Sequence, residues 1–317
     1  QPDLWFYMPT SLAAGKTLSE AETLDLIRVS TGIDLPYEIL SSDEWVASRL
    51  LADRYADGRV FLIGDACHLH PPFGGYGMNM GIGDALDLGW KLSAVLNGWG
   101  GERLLDSYEV ERRQVHRRVI DEAVENHAHS SRSLVVEGIE ASGPEGDAVR
   151  AGVREQILTH KRREFDALGV VLGSRLATSP VLAPDAIESV PPPDSPTYVP
   201  SAKPGSLAPH VWLTDGKAHG ASLYDHFATE GMTLLVTRPE AMAAAATVSE
   251  AAHATLVPLR VVAPQSPALH ALYEADMALI RPDQFVAWRG NSEADASVAL
   301  LRAVGRESIN TLTEPQT

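Results

Sequence analysis

The sequence holds a single cysteine, Cys67, so no disulfide can close within the chain. No apolar run approaches the about 20 residues of a membrane-spanning helix. Positive charge is scarce: 26 Lys and Arg stand against 42 Asp and Glu, a formal net charge of -16. A surface of that sign repels phosphate backbones and anionic lipid, so neither nucleic acid nor membrane is an expected partner. The chain opens on Gln1, with no basic-then-apolar leader and no amphipathic transit segment. A cytoplasmic protein with a cut N-terminus is expected. A complete Gly-x-Gly-x-x-Gly turn is also missing. Gly75-x-Gly77, Gly81-x-Gly83 and Gly98-x-Gly100 begin one, but Met80, Leu86 and Arg103 stand where the third glycine belongs.

With 44% apolar residues in 317, the chain can bury the cores of two domains. Residues 3–8 read as a strand and 18–31 as a helix with Leu24, Ile27 and Val29 as apolar positions. Val60-Phe61-Leu62-Ile63, stopped by Gly64-Asp65, has the pattern of a buried parallel strand. A loop over 66–83 follows, with Pro71, Pro72 and five glycines, then a helix carrying Leu88, Leu92 and Val95 and stopped by Gly98. A longer helix over 103–126 has a buried stripe of Leu104, Tyr108, Val115, Val119 and Ala123 and a solvated polar face. A third is expected over 147–168, with Val153, Ile157, Phe165 and Leu168.

Seven prolines between 191 and 209 mark an extended linker and a domain boundary. Beyond it, strands at 211–213, 233–236 and 256–262 alternate with helices near 223–227, 240–253 and 267–275. A hairpin joins 278–280 to 285–288, and a last helix spans 293–304. The order suggests a small thioredoxin-like layer. It contains no cysteine, so its role is structural or in assembly. The domain limits read as 1–45, 46–190, a linker over 191–209, and 210–317.

Chemistry concentrates in Gly64-Asp65-Ala66-Cys67-His68-Leu69-His70-Pro71-Pro72-Phe73-Gly74-Gly75-Tyr76-Gly77-Met78-Asn79-Met80. A carboxylate at the end of a strand can accept hydrogen bonds from a sugar or ribityl hydroxyl, and Asp65 is placed for that. The glycines let backbone amides approach a flat ligand, and the following helix aims its free N–H groups at the loop. This stretch resembles the second FAD motif of the class A flavoprotein monooxygenases, the para-hydroxybenzoate hydroxylase type, over about 59–118. Cys67 and Tyr76 depart from the family's usual alanine and glutamine. The texts around Pro204-Gly205-Ser206, Leu223-Tyr224-Asp225 and Arg281-Pro282-Asp283 resemble the C-terminal extension of the phenol and polyketide hydroxylases.

The resemblance implies an α/β fold: the C-terminal part of a Rossmann-like FAD-binding domain with a remnant of the substrate-domain sheet, plus the thioredoxin-like domain. It implies that Gly64 and Asp65 hold the ribityl chain and that Pro72 lies beside the reactive edge of the flavin. Gly75 belongs to the same loop, and Gly77, Met78 and Asn79 offer donors to N1 and O2. It also implies FAD as cofactor, NAD(P)H as co-substrate and an aromatic substrate whose pocket has Trp5, Tyr7 and Phe73 at its edge. The family's first FAD motif would then sit on a companion N-terminal half, and a homodimer is compatible. No acid or base is assigned. Baeyer-Villiger insertion is an alternative reaction, and a non-catalytic fragment used in assembly an alternative role.

Simpler roles fit other residues. His68-x-His70 lacks a third ligand at metal-site spacing, so His68 reads as a hydrogen-bond partner that orders the loop and no metal is expected. Cys67 reads as a small buried hydrophobe. Trp90, Leu92 and Leu96 read as core, Lys91 as a solvated charge, and His127-x-His129 as a solvated helix end.

Overall fold

The structure, a computed structural model, describes residues 4–9, 16–43, 46–129, 136–182, 197–213 and 220–306. Residues 191–196 of the proline-rich stretch lie outside the described residues. The first helix, α1 (Glu20–Thr31), starts at a capping box between Ser19 and Glu22 and ends at Gly32, whose φ of 68° suits only glycine well. It buries none of its residues. Residues 4–9 form no strand, and Trp5 and Phe6 are 85% and 90% exposed. An extended segment needs a neighbour to satisfy its backbone, and among the described residues none pairs with it.

Two short antiparallel pairs come next: β1 (Leu50–Leu51) with β4 (His68–Leu69), and β2 (Ala56–Asp57) with β3 (Val60–Phe61). The expected buried parallel strand over 60–63 is therefore two residues of a tight hairpin, with Val60 65% exposed. Its hydrogen bonds go back across Gly58 rather than to a parallel partner. Gly64–Ala66 then forms a single 3-10 turn.

The glycine-rich stretch is helical for most of its length. Helix α2 (Tyr76–Leu96) begins five residues after Pro71, capped by Gly75 in the left-handed region at φ 67°. Gly77, Gly81 and Gly83 all lie inside it; at Gly83 the Arg112 guanidinium takes the space a side chain would need, and Gly81 lies against the Gly64 Cα. Helix α3 (Arg103–Ala128) packs along α2 and buries the expected Leu104, Tyr108, Val115, Val119 and Ala123. It also buries Glu111, Arg112, His116, Glu122 and Asn126, so its polar face is not simply solvated. Lys91 of α2 is fully buried too, whereas Leu96, expected in the core, is exposed.

The helix expected over 147–168 is broken. It comprises α4 (Pro144–Gln156), a π-helical turn (Ile157–Lys161), α5 (Arg162–Phe165) and α6 (Leu168–Val171). Val153 is buried as expected, but Ile157, Phe165 and Leu168 face outward. A π-turn shifts the register of everything after it, which removes Phe165 and Leu168 from the stripe a straight helix would present.

The C-terminal sheet has the order β6-β5-β7-β8, built from β5 (Met232–Val236), β6 (Leu259–Val262), β7 (Met277–Ile280) and β8 (Val286–Gly290). β5 and β6 are parallel, crossed over by α7 (Met242–Ala254), and β7 and β8 form the expected hairpin. Helices α8 (Ala268–Tyr273) and α9 (Glu293–Ala303) complete the layer. Residues 223–226 make a 3-10 turn rather than an α-helix, and the strand expected at 211–213 is an isolated bridge, Trp212 to Ser222. The stretch 205–208 hydrogen-bonds to Val286 and Gln284, so this part of the proline-rich segment is seated on the sheet. One apolar cluster runs without a break from Trp90, Trp99 and Leu104 of the helical pair into Leu234 of β5 and Leu300 of α9.

Candidate flavin site and the polar hub beneath it

The Gly64 turn is where the chain's chemistry is held. Gly64 takes φ 58°, and its Cα lies directly over α2: a Cβ built on Gly81 would stand 3.7 Å from it. The Gly64 amide donates to Oδ2 of Asp84 at 2.9 Å, one turn further along the same helix. Two contacts thus fix the turn to α2, and the exposed carboxylate of Asp65 follows at once.

Asp84 is fully buried and accepts from four groups. Besides Gly64, His68 Nε2 donates to Oδ2 at 3.0 Å, Arg112 Nε to Oδ1 at 2.7 Å and His116 Nε2 to Oδ1 at 2.8 Å. Burial opposes ionisation, but the hydrogen bonds from His116 and His68 and the charge of Arg112 outweigh it and hold the carboxyl well below the usual carboxylate range. Burial also pushes His116 down to about 4, against its bond to Asp84, so it is a neutral donor whose Nδ1 accepts from the Tyr55 hydroxyl at 2.8 Å. Cys67, buried beside this group, is pushed up to about 12 by burial and by Asp84, which leaves the thiol inert.

Cys67, His68, Asp84 and His116 lie close enough together to offer four ligand atoms within 4.8 Å of one another. The fold therefore leaves His70 out and sets three other candidates, Cys67, Asp84 and His116, beside His68. The guanidinium of Arg112 stands where a cation would, and the donors already fill the carboxylate, so the arrangement is that of a hydrogen-bond hub.

At the start of α2, Gly75 supplies no side-chain cap and the first turn carries no acidic residue. The leading amides of Tyr76, Gly77 and Met78 have no partner within the helix and present the positive end of its dipole. A Cβ at Gly77 would lie 3.5 Å from His70 Nε2, in ordinary van der Waals contact with that ring. Pro72, Met78 and Asn79 are exposed around this terminus. The amides at the start of α2 and the exposed carboxylate of Asp65 are the groups that could hold the ribityl and pyrimidine end of a flavin.

Phe73 is the one pocket candidate with packed partners here: its ring lies 4.8 Å from His127 and 5.4 Å from Lys161 Nζ. His127 is thus exposed but not merely solvated. The Gly74 amide donates to Glu164 at 3.2 Å, tying the loop to α5. Tyr7 instead hydrogen-bonds Ser30 of α1 at 2.6 Å, and Trp5 stands in solvent.

A second buried polar group joins α2 and α3 to the C-terminal sheet. Arg281, fully buried, donates to Glu111 and to Asp87, each at 2.8 Å, and to Asp283. Lys91 donates to Asp87 at 2.9 Å and Glu111 at 2.7 Å, and the Trp90 indole to Asp283 at 3.0 Å. Burial raises Asp87 to about 7 despite Lys91, while Arg281 and Lys91 outweigh burial at Glu111 and lower it.

Residues 5–123 match the family of FAD binding domains, and residues 201–307 the family described as aromatic-ring hydroxylase, C-terminal. The FAD-dependent monooxygenase opdD of Penicillium oxalicum is 36% identical over 84% of this chain and 52% of its own length. Tetracenomycin B2 monooxygenase-dioxygenase of Streptomyces olivaceus is 34% identical over 88% and 48%. Among solved structures, the rebeccamycin biosynthetic enzyme RebC with reduced flavin aligns with a TM-score of 0.78 at 38% identity, covering 91% of this chain and 52% of that one. The fold is therefore that of mixed α/β proteins with an FAD-binding region. Residues 5–123 thus belong with the FAD binding domains and residues 201–307 with the C-terminal regions of the aromatic-ring hydroxylases. It spans about half the length of the curated relatives it matches. No helix among the described residues is long and apolar enough to cross a membrane.

Proposed function

We propose that this chain is the flavin-ring half of an FAD-dependent monooxygenase that inserts one oxygen atom into an electron-rich phenolic or polyketide ring. The overall reaction consumes NAD(P)H, a proton and O2 and yields the hydroxylated ring, NAD(P)+ and water. The observation that carries the reading is the Gly64 turn pinned on α2, the helix whose uncapped N-terminus we read as lying across one site from the Asp65 carboxylate. The names of the relatives, which include a tetracenomycin B2 monooxygenase-dioxygenase and a 4-methyl-5-nitrocatechol 5-monooxygenase, favour a fused or phenolic aromatic substrate.

Bound FAD supplies the redox and oxygen chemistry. Asp65 accepts from ribityl hydroxyls, the Tyr76, Gly77 and Met78 amides and the helix dipole stabilise negative charge on the pyrimidine edge, and Pro72 with Gly75 and Asn79 shapes that edge. Phe73, held by His127 and Lys161, forms one wall of the substrate pocket, and Trp5 and Tyr7 belong to the same wall once the remaining half of the length is in place. That half brings the ADP-binding turn and covers the apolar stripe of Met78, Ile82 and Leu86 on α2, which is at least half exposed. The region around α2 and α3 is read as the end of a Rossmann-like domain, and β5 to β8 with α7 and α9 as a thioredoxin-like one. The strand order β6-β5-β7-β8, with β7 antiparallel to β5, supports the latter. A free, buried Cys67 suits a reducing, cytosolic compartment.

The test is to load the protein with FAD and follow the loss of its visible absorption on adding NAD(P)H, with and without a phenol. The expected result is substrate-stimulated bleaching and a product heavier by one oxygen. Replacing Asp65→Ala weakens FAD binding by about tenfold or more, the scale of a lost charged hydrogen bond.

A further inference from the structure

The geometry points to Asp84 as the positioning residue of the flavin site: through its bond to the Gly64 amide it sets where the Asp65 carboxylate stands relative to the amides of α2. This inference rests on the reading of Asp65 as the ribityl acceptor. Asp84 touches no part of that site itself. It sits behind the turn, fully buried, and of its four donors three are side chains from two other segments, His68 of β4 and Arg112 and His116 of α3. Only the fourth, the Gly64 amide, leads to the ligand side.

The register follows from α2 alone. Gly81 and Asp84 are three residues apart and so share one face of the helix. Gly81 receives the Gly64 Cα, and Asp84 receives its amide. The turn is then closed by the Cys67 amide donating to the Gly64 carbonyl at 2.9 Å. Gly64 is left-handed, and the exposed Asp65 follows directly on it. The amides at Tyr76 to Met78 belong to the same rigid helix, roughly two turns N-terminal of Asp84. Acceptor and donors of the flavin site are thereby referred to a single body. Without the Asp84 anchor, the turn keeps its own 3-10 hydrogen bond but loses its fixed distance to the helix.

A packing residue and a positioning residue differ in what they do to ligand selectivity. The experiment measures the dissociation constants of FAD and of an FAD analogue lacking the ribityl hydroxyls, by flavin fluorescence, in the unaltered protein and in Asp84→Asn. The expected result is FAD weakened by about tenfold and the analogue by much less, because Asp65 has nothing to accept from the analogue. Equal weakening of both flavins, or none of either, overturns the inference. Should Asp84→Asn fail to fold, Gly81→Val serves instead. It leaves the buried charges alone and wedges the turn away from α2, and the same selective loss is expected, with the same outcomes against it. Asp65→Ala, run in parallel, separates the two readings. If it leaves FAD binding unchanged, the site assignment falls; if it weakens FAD while Asp84→Asn and Gly81→Val do not, only the positioning role falls.

Discussion

His116 is neutral in the folded protein because burial disfavours its cation, and its depressed value of about 4 lies below the unfolded 6.5. The unfolded chain therefore binds a proton that the folded chain refuses throughout that interval. Stability with respect to this group is complete above about pH 6.5 and declines as the pH falls toward 4. Asp87 acts in the opposite sense: its folded value of about 7 lies above the usual 3.8, so folding is favoured as the pH drops from 7 toward 4. Replacing His116→Gln is expected to flatten the loss of stability between pH 6.5 and 4, and Asp87→Asn to steepen it, each measured by urea unfolding at a series of pH values. None of this was readable from the chain. Asp84 and Asp87 look like ordinary helical surface charges, and apart from Lys91, four residues from Asp87, the side chains paired with them lie 16 to 194 residues away.

At the scale of the element, α2 contains glycines with opposite requirements. A Cβ at Gly83 would come within 2.8 Å of the Arg112 guanidinium, which is itself held on Asp84, whereas Gly89 has open space around it. Gly83→Ala is expected to lower stability by about 1–3 kcal/mol through this clash. Gly89→Ala should raise it by about 0.5–1 kcal/mol, the ordinary helical advantage of alanine. Thermal unfolding of the two variants checks both signs. The existence of α2, α3, α7 and α9 and of the β7–β8 hairpin was legible because each carries a long apolar period or a clear turn. The start of α2 was not, since a run of glycines signals a loop unless one knows that Gly64 and Arg112 press against it. The break in the helix expected over 147–168 was invisible for a related reason: a π-turn changes register without changing composition.

For the whole molecule, the decisive feature is the apolar cluster shared by α2, α3 and the C-terminal sheet, with Arg281 at its polar centre. Arg281→Met is expected to cost about 3–5 kcal/mol, because it leaves Asp87, Glu111 and Asp283 facing one another with only Lys91 to offset them. Urea unfolding followed by tryptophan fluorescence reads this directly, since Trp90 and Trp99 lie in the same cluster. The same feature constrains recombination between relatives. A C-terminal segment carrying Arg281 and Asp283 matches only a helical pair that supplies Asp87, Lys91 and Glu111 in register. A chimaera that splices one relative's sheet onto another's helices must move these five residues as a set, whatever else is allowed to differ.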